Sequence, residues 1–202
     1  MSQIKADFIL QLQDENKPLW PNEISHKIRH QFAWMSLYKV DLELDPEHIR
    51  GYMVRIPPTR AHSAQDPHIF WCIIAGNQSM GWQNITWTKE MLQALDGDQA
   101  LTTNEQQLGD MLDMGAIDQP NDDETPANVV ADRNGFTLAL ACAVPKAYRL
   151  HLRQHLQSSD SLAPQMLADL GHIPEQYISY VLDAGFEDKF EKALDEICEG
   201  GT

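Results

Sequence analysis

His68-Ile-Phe-Trp-Cys-Ile-Ile-Ala75 is an almost unbroken apolar run, followed by the polar turn Gly76-Asn-Gln-Ser-Met-Gly81 and then by Trp82-Gln-Asn-Ile-Thr-Trp87. Eight apolar-rich residues without helical spacing predict a central strand buried on both faces. The turn and the Trp-bearing segment after it predict a partner strand, so that Trp71, Trp82 and Trp87 pack across a hairpin.

Working outward, Tyr38, Val40, Leu42 and Leu44 alternate with Lys39, Asp41 and Glu43, the pattern of a half-buried strand. Asp45-Pro46 turns the chain, Tyr52 to Ile56 returns as another strand, and Pro57-Pro58 ends it. Phe8 to Leu12 reads as a first strand, broken off by Pro18 and Pro21. Asn22 can cap a helix whose apolar stripe is Ile24, Ile28, Phe32 and Met35. Thr88 caps a short helix from Lys89 to Leu95, and a second helical stretch runs from about Asn104 to Met114. Phe136 to Val144 reads as a last strand, although its Leu and Ala content also suits a helix. Pro145 opens a helix to about Gln157. Three helical segments follow, near Leu162–Leu170, Pro174–Asp183 and Glu187–Cys198, punctuated by glycines. The sum is an α+β chain with a mostly antiparallel sheet of about six strands and a helical C-terminal part. Its units are an α+β domain over residues 1–114, an acidic loop or linker over 115–135, and a strand plus helices over 136–202 packed on the first domain.

The charge distribution is the other strong signal. The formal net charge is −15 and the sequence pI about 4.7. No Lys or Arg occurs between Lys89 and Arg133, while Glu90, Asp96, Asp98, Glu105, Asp110, Asp113, Asp118, Asp122, Asp123, Glu124 and Asp132 all fall there. Such a stretch repels polyanions and attracts cationic surfaces. Nucleic-acid binding needs a basic groove that displaces counterions, and no long one is present. Adhesion to an anionic membrane is disfavoured for the same reason. The N-terminus has no basic start with an apolar core behind it, and no apolar run approaches the ~20 residues of a membrane helix. Cys72, Cys142 and Cys198 are widely spaced and odd in number, which fits a reduced cytoplasmic protein. The sequons at Asn77 and Asn84 then carry no sugar.

Candidate chemistry is sparse. His26 with His30, and His151 with His155, share an i, i+4 spacing that places each pair on one helix face, where it could share a metal. Neither has the Glu of HExxH, and both helices carry Lys and Arg, so a polar face is the plainer reading and no cofactor is expected. Cys72 and Cys142 lie in apolar runs that supply no electropositive setting for a thiolate. Asn77-Gln78-Ser79-Met80-Gly81 resembles a degraded nucleophile elbow with Asn in place of the first Gly. Gly76 and Gly81 have phosphate-loop spacing, but Trp82-Gln83 stand where Lys and Ser or Thr are required. Leu167 to Leu182 hints at a helix-turn-helix but brings no base to the DNA. Lys146, Arg149 and Arg153 form the one basic cluster, which could pair with the acidic stretch or hold a small anion at a helix start.

The sequence therefore points to a cytoplasmic interaction or inhibitory protein that docks a cationic partner, such as a nucleic-acid-handling protein or a basic toxin. Asp110, Asp113, Asp118, Asp122, Asp123 and Glu124 are the expected docking residues, with Trp82 and Trp87 as apolar contacts. A hydrolase using the His-bearing helices or the Ser79 turn is one alternative. An accessory subunit that completes an assembly through its Trp-rich hairpin is another.

Overall fold

The computed structural model describes residues 2–47, 49–56, 68–95 and 127–199. The elements are α1 (Ser2–Leu12), α2 (Pro21–Gln31), β1 (Met35–Leu42), β2 (Gly51–Ile56), β3 (His68–Ala75), α3 (Met80–Ala94), α4 (Ala127–Ala143), α5 (Lys146–Ser158), α6 (Pro164–Asp169), a 3-10 turn (Glu175–Tyr177), α7 (Ile178–Leu182) and α8 (Phe186–Glu199). The α+β class stands, but the expected six-stranded antiparallel sheet does not form. The sheet has three strands in the order β1-β3-β2, with β1 parallel and β2 antiparallel to β3.

Three segments read as strands are helical, each for a physical reason. Phe8 to Leu12 closes α1, where Phe8, Ile9 and Leu12 are buried on one helical face while Leu10 is exposed. Phe136 to Val144 belongs to α4 and its C-terminal end, buried from Leu138 to Val144. Its Leu and Ala residues are strong helix formers, and a helix apolar all round suits the middle of a domain. Trp82 to Trp87 lies in α3 and forms no hairpin. There β-branched Ile85, Thr86 and Thr88 are overridden by burial between the sheet and α4. The expected short helix from Lys89 is the second half of the same element. Residues 127–135, read as loop, open α4. The helical stretch near 104–114 and the rest of that loop lie outside the described residues.

Other expectations hold in part: the N-cap of α2 is Trp20 rather than Asn22, and Met35 of the expected stripe opens β1. His68–Ala75 is the central strand. Pro21 occupies the first turn of α2, and the Glu23 carboxylate accepts the Trp20 N–H at 2.9 Å. Pro145 caps α5, and the C-terminal helices fall near their expected ranges. The core lies between α4 and the inner face of the sheet, where Leu37, Phe70, Cys72 and Ile74 are buried with Ile85, Met91 and Leu140. Two glycines permit close approach. A Cβ at Gly51 would come 2.6 Å from Thr86 Cγ2, so Gly51 lets α3 lie against β2. A Cβ at Gly81 would come 2.7 Å from the Ile173 carbonyl, so Gly81 seats α3 on the Ile173–Pro174 turn. No helix of the described residues is long and apolar enough to cross a membrane.

Candidate interaction surface

Only one face of the sheet is covered by helix α3. Residues directly opposite across paired strands share a face. Tyr38, Trp71 and Val54 therefore form one outward row, and Val40, Ile73 and Tyr52 the next. Ser36, Ile69 and Ile56 form a third row, and Leu42 lies beside Ala75 at the far end. This face is apolar, and among the described residues it is open around Trp71, although Ile73 is only 7% exposed. Tyr38 is 51% exposed, Trp71 43%, Leu42 42% and Tyr52 38%. Scattered exposed apolar side chains need no explanation, but a contiguous aromatic patch on a sheet does. Parallel strand pairs in particular are usually covered on both faces. The central strand thus departs from its expectation: Trp71 faces water, whereas Cys72 and Ile74 face the core.

The two ends of the face differ in charge. Beyond the C-terminal end of β1 the chain reads Glu43-Leu-Asp45-Pro-Glu47, with Glu43, Asp45 and Glu47 exposed, while Asp41 shares the inner face with Lys39 and Ile74. Lys39 pairs with Asp41 at 2.7 Å, and the Arg50 guanidinium lies 3.6 Å over the Trp82 ring. The opposite end carries the Arg55–His68 contact at 2.6 Å, and Trp34 sits edge-on to His68.

Of the residues expected to dock a partner, only Trp82 and Trp87 are among the described residues. Asp110, Asp113, Asp118, Asp122, Asp123 and Glu124 lie outside the described residues. Two other members of the carboxylate run, Glu90 and Asp132, sit between α3 and α4, where Lys89 donates to Asp132 and lies 3.1 Å from Glu90. Burial raises the Glu90 carboxyl above its ordinary range, Lys89 opposes the rise, and Asp132 adds to it. Burial also works against the Lys89 ammonium, but Asp132 and Glu90 outweigh it and hold it charged. Trp82 packs on Phe136 and Tyr177, and Trp87 is half-buried with Lys39 5.7 Å from its ring. Neither stands on an open surface.

The catalytic and metal candidates fare no better. His26 and His30 are exposed on α2 and line a groove of about 220 Å³ with Gln11 and Lys27. His151 and His155 lie on α5, with the His151 ring 6.1 Å from Tyr148. Among the described residues no group of three or more His, Cys, Asp or Glu side chains is placed to hold a metal. The Ser79 turn does lead from strand to helix. Yet Ser79 has φ −60° and ψ 154°, ordinary extended backbone rather than the strained turn of a nucleophile elbow. Cys72 and Cys142 are buried, and burial pushes the Cys142 thiol up to about 12. Arg149 is fully buried and holds Glu187 through both carboxylate oxygens, at 3.1 and 2.8 Å, which leaves no anion site there. Sequence spacing missed this pair, and it missed the buried His172, whose ring nitrogens lie 2.7 Å from the Asp169 carbonyl and 3.0 Å from the Ala143 carbonyl. Comparison with family models, with curated proteins and with solved structures gives no match.

Proposed function

We propose that this chain is a binding protein that docks a protein partner through the outer face of its sheet. The partner presents an apolar patch flanked by Lys or Arg. The carrying observation is the exposure of Trp71 in the middle of the central strand, with Tyr38 beside it in the same row and Tyr52 in the next. Exposed aromatic clusters of this kind are the usual anchors of protein interfaces. The net charge of −15 and the acidic end of the sheet support a cationic complement. The sequence-based reading of an acidic docking protein is kept in its partner class, while its docking surface moves from the carboxylate run to the sheet.

Affinity capture from native lysate tests this with the native chain and a Tyr38→Ser, Trp71→Ser variant side by side. The native chain retains a partner at low salt and releases much of it as ionic strength rises past ~0.15 M, where the Debye length is ~8 Å. The double variant retains little at any salt. Equal capture by both chains would move the docking site off the sheet.

A further inference from the structure

The shape of the open face says what kind of element covers it. Three strands about 4.8 Å apart, two of them eight residues long and one six, at about 3.3 Å per residue, make a plate roughly 14 Å wide and up to about 26 Å long. That is small beside the ~800 Å² that each partner buries in a standard interface, so two globular surfaces laid flat do not account for it. An α-helix is 10–12 Å across and rises 1.5 Å per residue, so about 17 residues match the plate in both dimensions. The inner face already shows the arrangement, with α3 laid across β3 and β2. The parallel β1–β3 pair belongs to a kind of sheet that is usually covered by helices on both faces, and among the described residues Tyr38, Trp71 and Tyr52 of the outer face stay exposed. The exposed Glu43, Asp45 and Glu47 that follow β1 put acidic charge at one end of the plate and give a covering helix a direction.

We infer that the occupant of this face is an amphipathic α-helix of a partner protein, about five turns long, with its apolar stripe on Tyr38, Trp71 and Tyr52 and its lysines or arginines over the Glu43–Glu47 end. The inference rests on the docking role proposed above and adds the conformation and charge of the bound segment. Apolar side chains at i, i+3, i+4 and i+7 of the partner meet the aromatic rows, and its basic residues meet the acidic end.

The test uses two synthetic peptides of about 18 residues with the same Leu and Lys content, one patterned at the helical period of 3.6 and one at the strand period of 2. Binding is read by tryptophan fluorescence of the whole chain and by the helical circular dichroism of the bound peptide. The helical-period peptide binds at least tenfold more tightly than the other and gains helix on binding. Trp71→Ser weakens it about tenfold, and Tyr38→Ser does so independently. Glu43→Gln with Glu47→Gln weakens it severalfold and flattens its salt dependence. Tighter binding of the strand-period peptide overturns the helix and leaves the docking face standing. Binding by neither peptide, or binding that ignores Trp71 and Tyr38, overturns the inference, and lysate capture then decides the docking role by itself. A dimeric mass for the free chain that becomes monomeric on Trp71→Ser substitution would make a second copy the occupant and overturn it as well.

Discussion

Glu90 is the residue whose chemistry the sequence concealed most completely. By composition it belongs to a run of carboxylates expected in water. In the fold it faces the core from α3, beside a Lys89 that Asp132 also claims. One ammonium serves two carboxylates, and burial makes the second negative charge expensive. The Glu90 carboxyl is therefore raised, so the folded chain holds a proton that the unfolded chain releases near the ordinary carboxylate value of 4.5. Stability from this site is complete below that value and is lost as pH rises through the folded one. Glu90→Gln keeps the shape and removes the charge. At pH 8 the variant should be more stable than the native chain by about 1 kcal/mol or more, with the advantage vanishing near pH 4. Urea midpoints across that range check it, and a variant less stable at both ends would show that Glu90 is ionised and well paired.

Between α5 and α8 the decisive contact is the Arg149–Glu187 pair, joined by Arg153 at 3.1 Å. Burial raises the Glu187 carboxyl, but the hydrogen bonds and charges of Arg149 and Arg153 more than reverse this and leave it below the ordinary range. The contribution is thus present above that range and lost as pH falls through the lowered value. Glu187→Gln leaves Arg149 buried with no counter-charge and should cost about 3 kcal/mol at pH 7, read from the urea midpoint. The loss should shrink below pH 4. Arg149→Met together with Glu187→Leu should recover much of it, because two apolar side chains avoid the desolvation of both charges.

At the same scale the sequence was legible wherever one pattern excluded the others. The alternation from Tyr38 to Leu42 and the apolar run at His68 are strand patterns, and strands stand there. Short apolar runs such as Phe8–Leu12 and Phe136–Val144 carry no periodicity that separates strand from helix, and context decided both as helix. Trp82–Trp87 misled because local β-preference there is overruled by packing on two sides. The open face was half legible. Tyr38 and Leu42 were placed on one side of a strand, but which side meets helix depends on an element whose type was misread.

For the molecule as a whole, solvent access to the three cysteines reports closure of the core. Cys72 faces the core from the central strand β3 and Cys142 lies in α4, whereas Cys198 is exposed near the end of α8. Burial raises both interior thiols, so they are shielded and also poorly ionised. A thiol reagent at pH 8 should label one site rapidly in the folded chain and three after denaturation. Fast labelling of Cys72 in the native chain would mean that α3 lifts from the sheet.

The order of strands has a consequence for how the chain is made. Among the described residues β1 pairs only with β3, and Met35 lies opposite His68, so the pairing spans thirty-three positions. Among the same residues β2 also pairs only with β3. A growing polypeptide that has left the ribosome as far as Ile56 therefore holds two strands that cannot zip together, with Tyr38 and Tyr52 bare. At 5–20 residues per second, the wait for β3 and then α3 is on the order of a few seconds. During that interval the nascent chain is at its stickiest.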